Sequence, residues 1–123
     1  MATVYVVNKG GHDYKPAEKF GRLHFLSEGS VSKFAVNKIY RDFAMHLRSS
    51  GPDDYILITG LSTMNVVACS CFSFLHGRLN ILLYKNGRYI ERKLVLSDLL
   101  SRGGKSVEKQ VEDLTNSYKE EEL

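Results

Sequence analysis

Three strand-like runs, "TVYVV" at 3–7, "RLHFLS" at 22–27 and "DYILITG" at 54–60, are separated by stretches too long for tight turns, and this spacing constrains the fold most. The run from Thr3 to Val7 is β-branched and aromatic with no polar alternation, as expected of a strand covered on both faces. Fourteen residues part it from the second run, enough for a crossover and far too many for a hairpin. A parallel pair follows. Within that crossover Asp13 is placed to cap a short helix beginning near Pro16, with Gly21 ending it.

The next segment, "EGSVSKFAVNKIYRDFAMHLRSSGP" at 28–52, predicts the clearest helix. Val31, Phe34, Ala35, Ile39, Phe43 and Leu47 form one apolar stripe at helical spacing. Ser30 is its expected N-cap, and "SSGP" at 49–52 supplies the stop. Lys33, Lys38, Arg41 and Arg48 then form a solvated face. The third strand runs into "LSTMNVVACSCFSFLHG" at 61–77, apolar nearly all round and closed by Gly77. Such a helix is buried on most sides or covered by a partner chain. Asn86-Gly87 divides "RLNILLYKNGRYIERKLVL" into two arms, because both residues of a tight hairpin turn must accept positive φ.

Strands alternating with helices predict a small three-layer α/β fold, a Rossmann-like and mostly parallel sheet in the order 2-1-3-4-5 with an antiparallel C-terminal hairpin. Residues 1–100 are assigned to a single α/β domain, in which "SDLL" forms one more helical turn. Residues 101–123 read as a linker followed by a charged tail, either a marginal helix or frayed. The 123 residues suffice for a core without staples, and the 43% hydrophobic and 25% charged fractions are ordinary for a globular chain. No apolar run approaches the roughly 20 residues that cross a bilayer, and the N-terminus lacks a signal-peptide pattern. The expectation is a soluble, cytoplasmic accessory protein with no membrane partner.

In open sheets of this kind ligands bind beyond the carboxyl ends of the strands, where successive connections depart in opposite directions. Here that place lies between strands one and three. The loop after the first strand offers Asn8, Lys9, Gly10, Gly11 and His12, and the loop after the third offers Thr59, Gly60, Ser62, Thr63 and Asn65. Ser30 follows the second strand. Glycines let a backbone approach a ligand, and free N–H groups at helix starts favour anions. The expected ligand is therefore a nucleotide, short oligonucleotide or other phosphate-bearing molecule. His12 beside Asp13 is the weak candidate for acid–base chemistry.

The same glycine, serine and asparagine residues also suit turns and caps for purely local reasons. Several catalytic motifs are missing. "GGKS" at 103–106 lacks the first glycine of a P-loop, since Leu99 stands there, and "GLSTM" at 60–64 has Met64 where a nucleophile elbow closes on glycine. Cys69 and Cys71, two apart on a helix, point roughly 160° away from one another and serve as apolar filler, so neither a metal nor a cofactor is implied. His24, His46 and His76 read as structural.

The alternative reading is a non-enzymatic protein–protein interaction module, with a homodimer as one form of it, occluding or recruiting a partner. It rests on the all-apolar helix at 64–75 and on Tyr84, Arg88 and Tyr89 decorating an exposed hairpin edge. Extended nucleic acid along the basic helix ranks lower. The net charge is only +3, and Asp42 interrupts the basic residues.

Overall fold

The computed structural model describes residues 1–101. Five strands, β1 (Thr3–Val6), β2 (Arg22–Phe25), β3 (Tyr55–Leu57), β4 (Arg78–Lys85) and β5 (Arg88–Val95), form one sheet in the order β2-β1-β3-β4-β5. β1 pairs in parallel with β2 and β3, β3 with β4 in parallel, and β4 with β5 antiparallel. This is the predicted sheet. Its connections are a 3-10 helix (Lys15–Phe20) between β1 and β2, α1 (Val36–Leu47) between β2 and β3, and α2 (Ser62–His76) between β3 and β4. A single turn, α3 (Asp98–Ser101), follows β5. The linker and tail assigned to 101–123 lie outside the described residues apart from Ser101.

A right-handed crossover that reverses direction along a sheet must change face. The step from β1 out to β2 therefore puts the 3-10 helix on one face, and the steps from β2 back to β3 and on to β4 put α1 and α2 together on the other. Two cores result. Tyr5, Val7 and Ile56 of the sheet pack with Ile39, Phe43 and Leu47 of α1 and with Met64, Ala68 and Phe72 of α2. On the opposite face Val4, Val6, Leu57, Leu82 and Tyr89 pack with Tyr14 and Ala17 of the 3-10 segment.

Gly21 is needed because a Cβ there would lie 2.2 Å from the Ala2 carbonyl oxygen, so only glycine lets this turn press against the start of β1. Asn86 and Gly87 hold φ of 49° and 81°, the left-handed pair that the tight hairpin requires. At the amino rim Asp54 takes the Thr3 N–H at 2.8 Å and the Gly51 N–H at 2.7 Å. Buried Asn80 donates to the Pro52 and Asp54 carbonyls at 2.7 and 2.8 Å and accepts from Arg78 Nε at 3.2 Å.

The helix expected from Ser30 begins only at Val36, with Ala35 at its N-cap and no side-chain cap bond. Residue 9 bridges residue 28 beyond the end of β2, and the Gly29 N–H donates to the Lys9 carbonyl, so the chain stays extended along the sheet. It must then climb to a helix layer about 10 Å away before winding can start. Val31 still reaches the core, whereas Phe34 points to solvent at 83% exposure. Ser30 is an exposed loop residue, not a helix cap.

Candidate functional site

The carboxyl ends of β1, β3 and β4 share one rim, and a cleft of about 540 Å³ opens there. His12, Asp13 and Tyr14 from the loop after β1 form one wall, and Thr59 and Gly60 after β3 form the floor toward α2. Tyr84 and Tyr89 of the hairpin form the opposite wall. The loops after β1 and β3 thus meet in one space.

Each wall is held differently. The Tyr14 hydroxyl donates to the Asn8 carbonyl at 3.0 Å and accepts the Gly10 N–H at 2.9 Å, folding the loop after β1 back on itself. Asp13 Oδ1 accepts the Lys15 N–H at 3.0 Å in a local turn, but the N-cap of the 3-10 helix is Tyr14, without a side-chain cap bond, so Asp13 stands one residue before the capping position that the sequence suggested for it. His12 is exposed, meets the Tyr14 ring edge-on at 6.3 Å, and has no hydrogen bond among the described residues. Across the cleft Tyr84 and Tyr89 pack edge-to-face at 5.6 Å, with Tyr84 62% exposed and Tyr89 buried. Burial first, then the neighbouring Tyr14, Tyr84 and Asp13, push the Tyr89 hydroxyl above its ordinary pKa.

The floor is set by Asn65, whose Oδ1 accepts the Thr59 N–H at 3.2 Å and whose Nδ2 donates to the Thr59 carbonyl at 2.7 Å. These two hydrogen bonds fix Thr59, and Gly60 follows it in open space. A Cβ at Gly60 would meet nothing within 4 Å. The first helical bond of α2 runs from the Asn65 N–H to the Leu61 carbonyl, so the N–H groups of Ser62, Thr63 and Met64 have no helical partner, and the first turn carries no acidic residue.

The sequence-derived candidates therefore divide. His12, Asp13, Thr59 and Gly60 line the cleft, and Ser62 and Thr63 begin the helix beside it. Asn8 is turned inward, donating to the Gly29 carbonyl at 3.2 Å and accepting from Ser27 Oγ at 2.8 Å. Lys9 leans toward Glu28 at 3.4 Å and over the Phe25 ring at 5.1 Å. Gly10 and Gly11 are exposed on the loop, and Ser30 stands beyond β2. Asn8 and Asn65 thus shape the loops through internal bonds.

Tyr84 and Tyr89 were expected on an exposed edge. Tyr89 instead faces the core, because its register opposite Tyr84 puts both rings on the 3-10 side of the sheet. No feature of a hairpin sequence alone marks that side as the cleft wall.

Elsewhere, the Cys69 thiol is pushed up to about 11 by burial and Cys71 is raised for the same reason, in keeping with inert filler. Cys69 and Cys71 are both free. Ser50 Oγ and His76 Nε2 lie 2.8 Å apart, and His76 packs on Phe72. No group of three or more metal-ligating side chains occurs among the described residues, and no helix among them is long and apolar enough to cross a membrane.

The sheet order, the helices on both faces and the rim cleft define a small three-layer α/β protein with a Rossmann-like sheet. Residues 2–96 match the family described as Phage Pam3 gp32-like protein, and the chain belongs to that family. No curated protein and no solved structure matches it.

Proposed function

We propose that the rim cleft binds a phosphate-bearing small ligand, with a nucleotide the best fit. The observation that carries this reading is a cleft in which Thr59 and Gly60, leading into a helix whose first turn has no acidic residue, face an imidazole without a hydrogen-bond partner among the described residues and the exposed ring of Tyr84, with Asp13 the acidic residue on the wall. The unpartnered N–H groups of Ser62, Thr63 and Met64 and the open backbone at Gly60 suit an anion. Tyr84 offers a ring on which a base can stack, and base–aromatic stacking contributes about 1–3 kcal/mol. His12 offers a ring nitrogen for hydrogen bonding from the other wall.

The test is thermal unfolding of the full chain with adenosine or guanosine nucleotides and with inorganic phosphate at millimolar concentration. A ligand at roughly 100 times its Kd stabilises by about 2.7 kcal/mol, a shift of many degrees for a domain of this size. Tyr84→Ala should weaken nucleotides and leave phosphate unchanged, whereas His12→Ala should weaken both. Absence of any shift with every ligand removes the reading.

A further inference from the structure

Away from the cleft, on the outer side of the helix layer, an apolar groove of about 710 Å³ runs between α1 and α2. Val36, Tyr40 and Ala44 line it from α1, and Val66, Ser70 and Phe74 line it from α2. Phe74 is 91% exposed and Val66 64% exposed, so the rim of this groove presents side chains that the described residues leave in water. We infer that the groove is a self-association surface, in which α2 of one copy packs antiparallel against α2 of a second across a twofold axis.

Three observations favour a second copy as the occupant. First, α2 carries no Asp, Glu, Lys or Arg over its fifteen residues, so bringing two of these helices together sets no like charges opposite one another. On the α1 side Lys38 and Asp42 pair at 2.9 Å, Arg41 is exposed, and Arg48, which caps the end of α1, is the charged residue among those lining the groove. Second, the patch holds both a knob and a hole. Val66, Ser70 and Phe74 are spaced i, i+4 and i+8, forming a single ridge about 12 Å long with its small residue at the centre. A twofold axis at Ser70 sets Phe74 of each copy against Val66 of the other, at the mouth of the groove beside Tyr40 and Val36. Isologous contacts need this kind of self-complementary patch.

The third observation is size. Complete burial of Val36, Tyr40, Val66, Phe74 and the half-exposed Leu75 would remove on the order of 500 Å² per copy, or about 1,000 Å² for the pair, the threshold of specific association.

Light scattering and sedimentation of the full chain from about 5 to 200 µM test the inference, with a dimer expected at about twice 13.9 kDa. Phe74→Glu should raise the dissociation constant by at least roughly 30-fold, as loss of a buried aromatic anchor does. Phe34→Ser, altering an exposed ring outside the groove, should leave the dimer intact. Melting of each variant at low concentration reports whether it folds. A wild-type monomer at the highest concentration overturns the inference. A dimer that survives both Phe74→Glu and Val66→Glu forms through another surface and overturns it equally. None of these outcomes depends on ligand binding in the rim cleft.

Discussion

The two faces of the sheet are covered unequally. On one, α1 and α2 lay down twelve and fifteen residues whose apolar stripes, Ile39, Phe43 and Leu47 with Met64, Ala68 and Phe72, close over Tyr5, Val7 and Ile56. On the other, a six-residue 3-10 helix contributes Ala17 to a core otherwise built largely from tyrosines and strand residues. The cost of a thin cover is open space at the carboxyl rim. The gain is that Tyr14 and Tyr89, whose hydroxyls need polar surroundings, can be buried in a core that stays close to water. The thin cover leaves the rim cleft between the 3-10 segment, the strand ends and the hairpin.

This contrast makes ordered expectations for stability, readable as urea-unfolding free energies. Phe43→Ala, on the buried face of α1, should have the largest effect, about 3–5 kcal/mol, because the closely packed helices cannot collapse into the void. Asn80→Ala on the thin face should follow at about 2–3 kcal/mol, since it strips hydrogen bonds from two backbone carbonyls at the amino rim. Tyr14→Phe should cost about 1–2 kcal/mol, since it leaves the buried Asn8 carbonyl and the part-buried Gly10 N–H without this partner. Should Tyr14→Phe prove as damaging as Phe43→Ala, the two faces are not the unequal partners described.

The smallest expected effect concerns pH and the joint between β2 and α1, where His24 Nε2 and His46 Nδ1 lie 2.8 Å apart. Burial first and the charge of His46 second hold the His24 pKa below its ordinary value, so the folded state prefers the neutral ring. The associated stability is fully present above the unfolded value, roughly 6.5, and is lost as pH falls from there through the lower folded value. His24→Gln should therefore show a smaller decline in melting temperature than the wild type between about pH 7.5 and 5. An identical decline in both would detach His24 from the effect.

Much of this architecture is legible in the chain because it depends on signals with a single cause. The uninterrupted run at Thr3–Val7 and the fourteen-residue gap after it dictate a central parallel strand, and Asn86-Gly87 dictates the hairpin. The start of α1 was not legible. Val31 and Phe34 keep helical spacing, yet the bridge between residues 9 and 28 governs where winding can begin, and that is a tertiary fact.

The rim shows the same division. Gly60 and His12 could be placed beside one another from topology alone. The inward turn of Asn8 toward Ser27 and Gly29, and the use of Asn65 to brace Thr59, depend on neighbours distant in sequence or on loop geometry. Tyr84 escaped notice as a cleft residue because a strand's two sides look alike until its register with β3 is known.

The sheet has one long border, the eight residues of β5, and it carries Arg88, Glu91, Arg92 and Lys93. A row of unpaired main-chain groups invites an incoming strand, and charged side chains along it discourage that docking by the desolvation they would suffer. Tyr55 takes up one of these charges, its hydroxyl donating to Glu91 at 2.7 Å, which keeps the carboxylate ionised to lower pH than usual. Growth of the molecule into ribbons or filaments by strand addition is thereby resisted at the border most open to it.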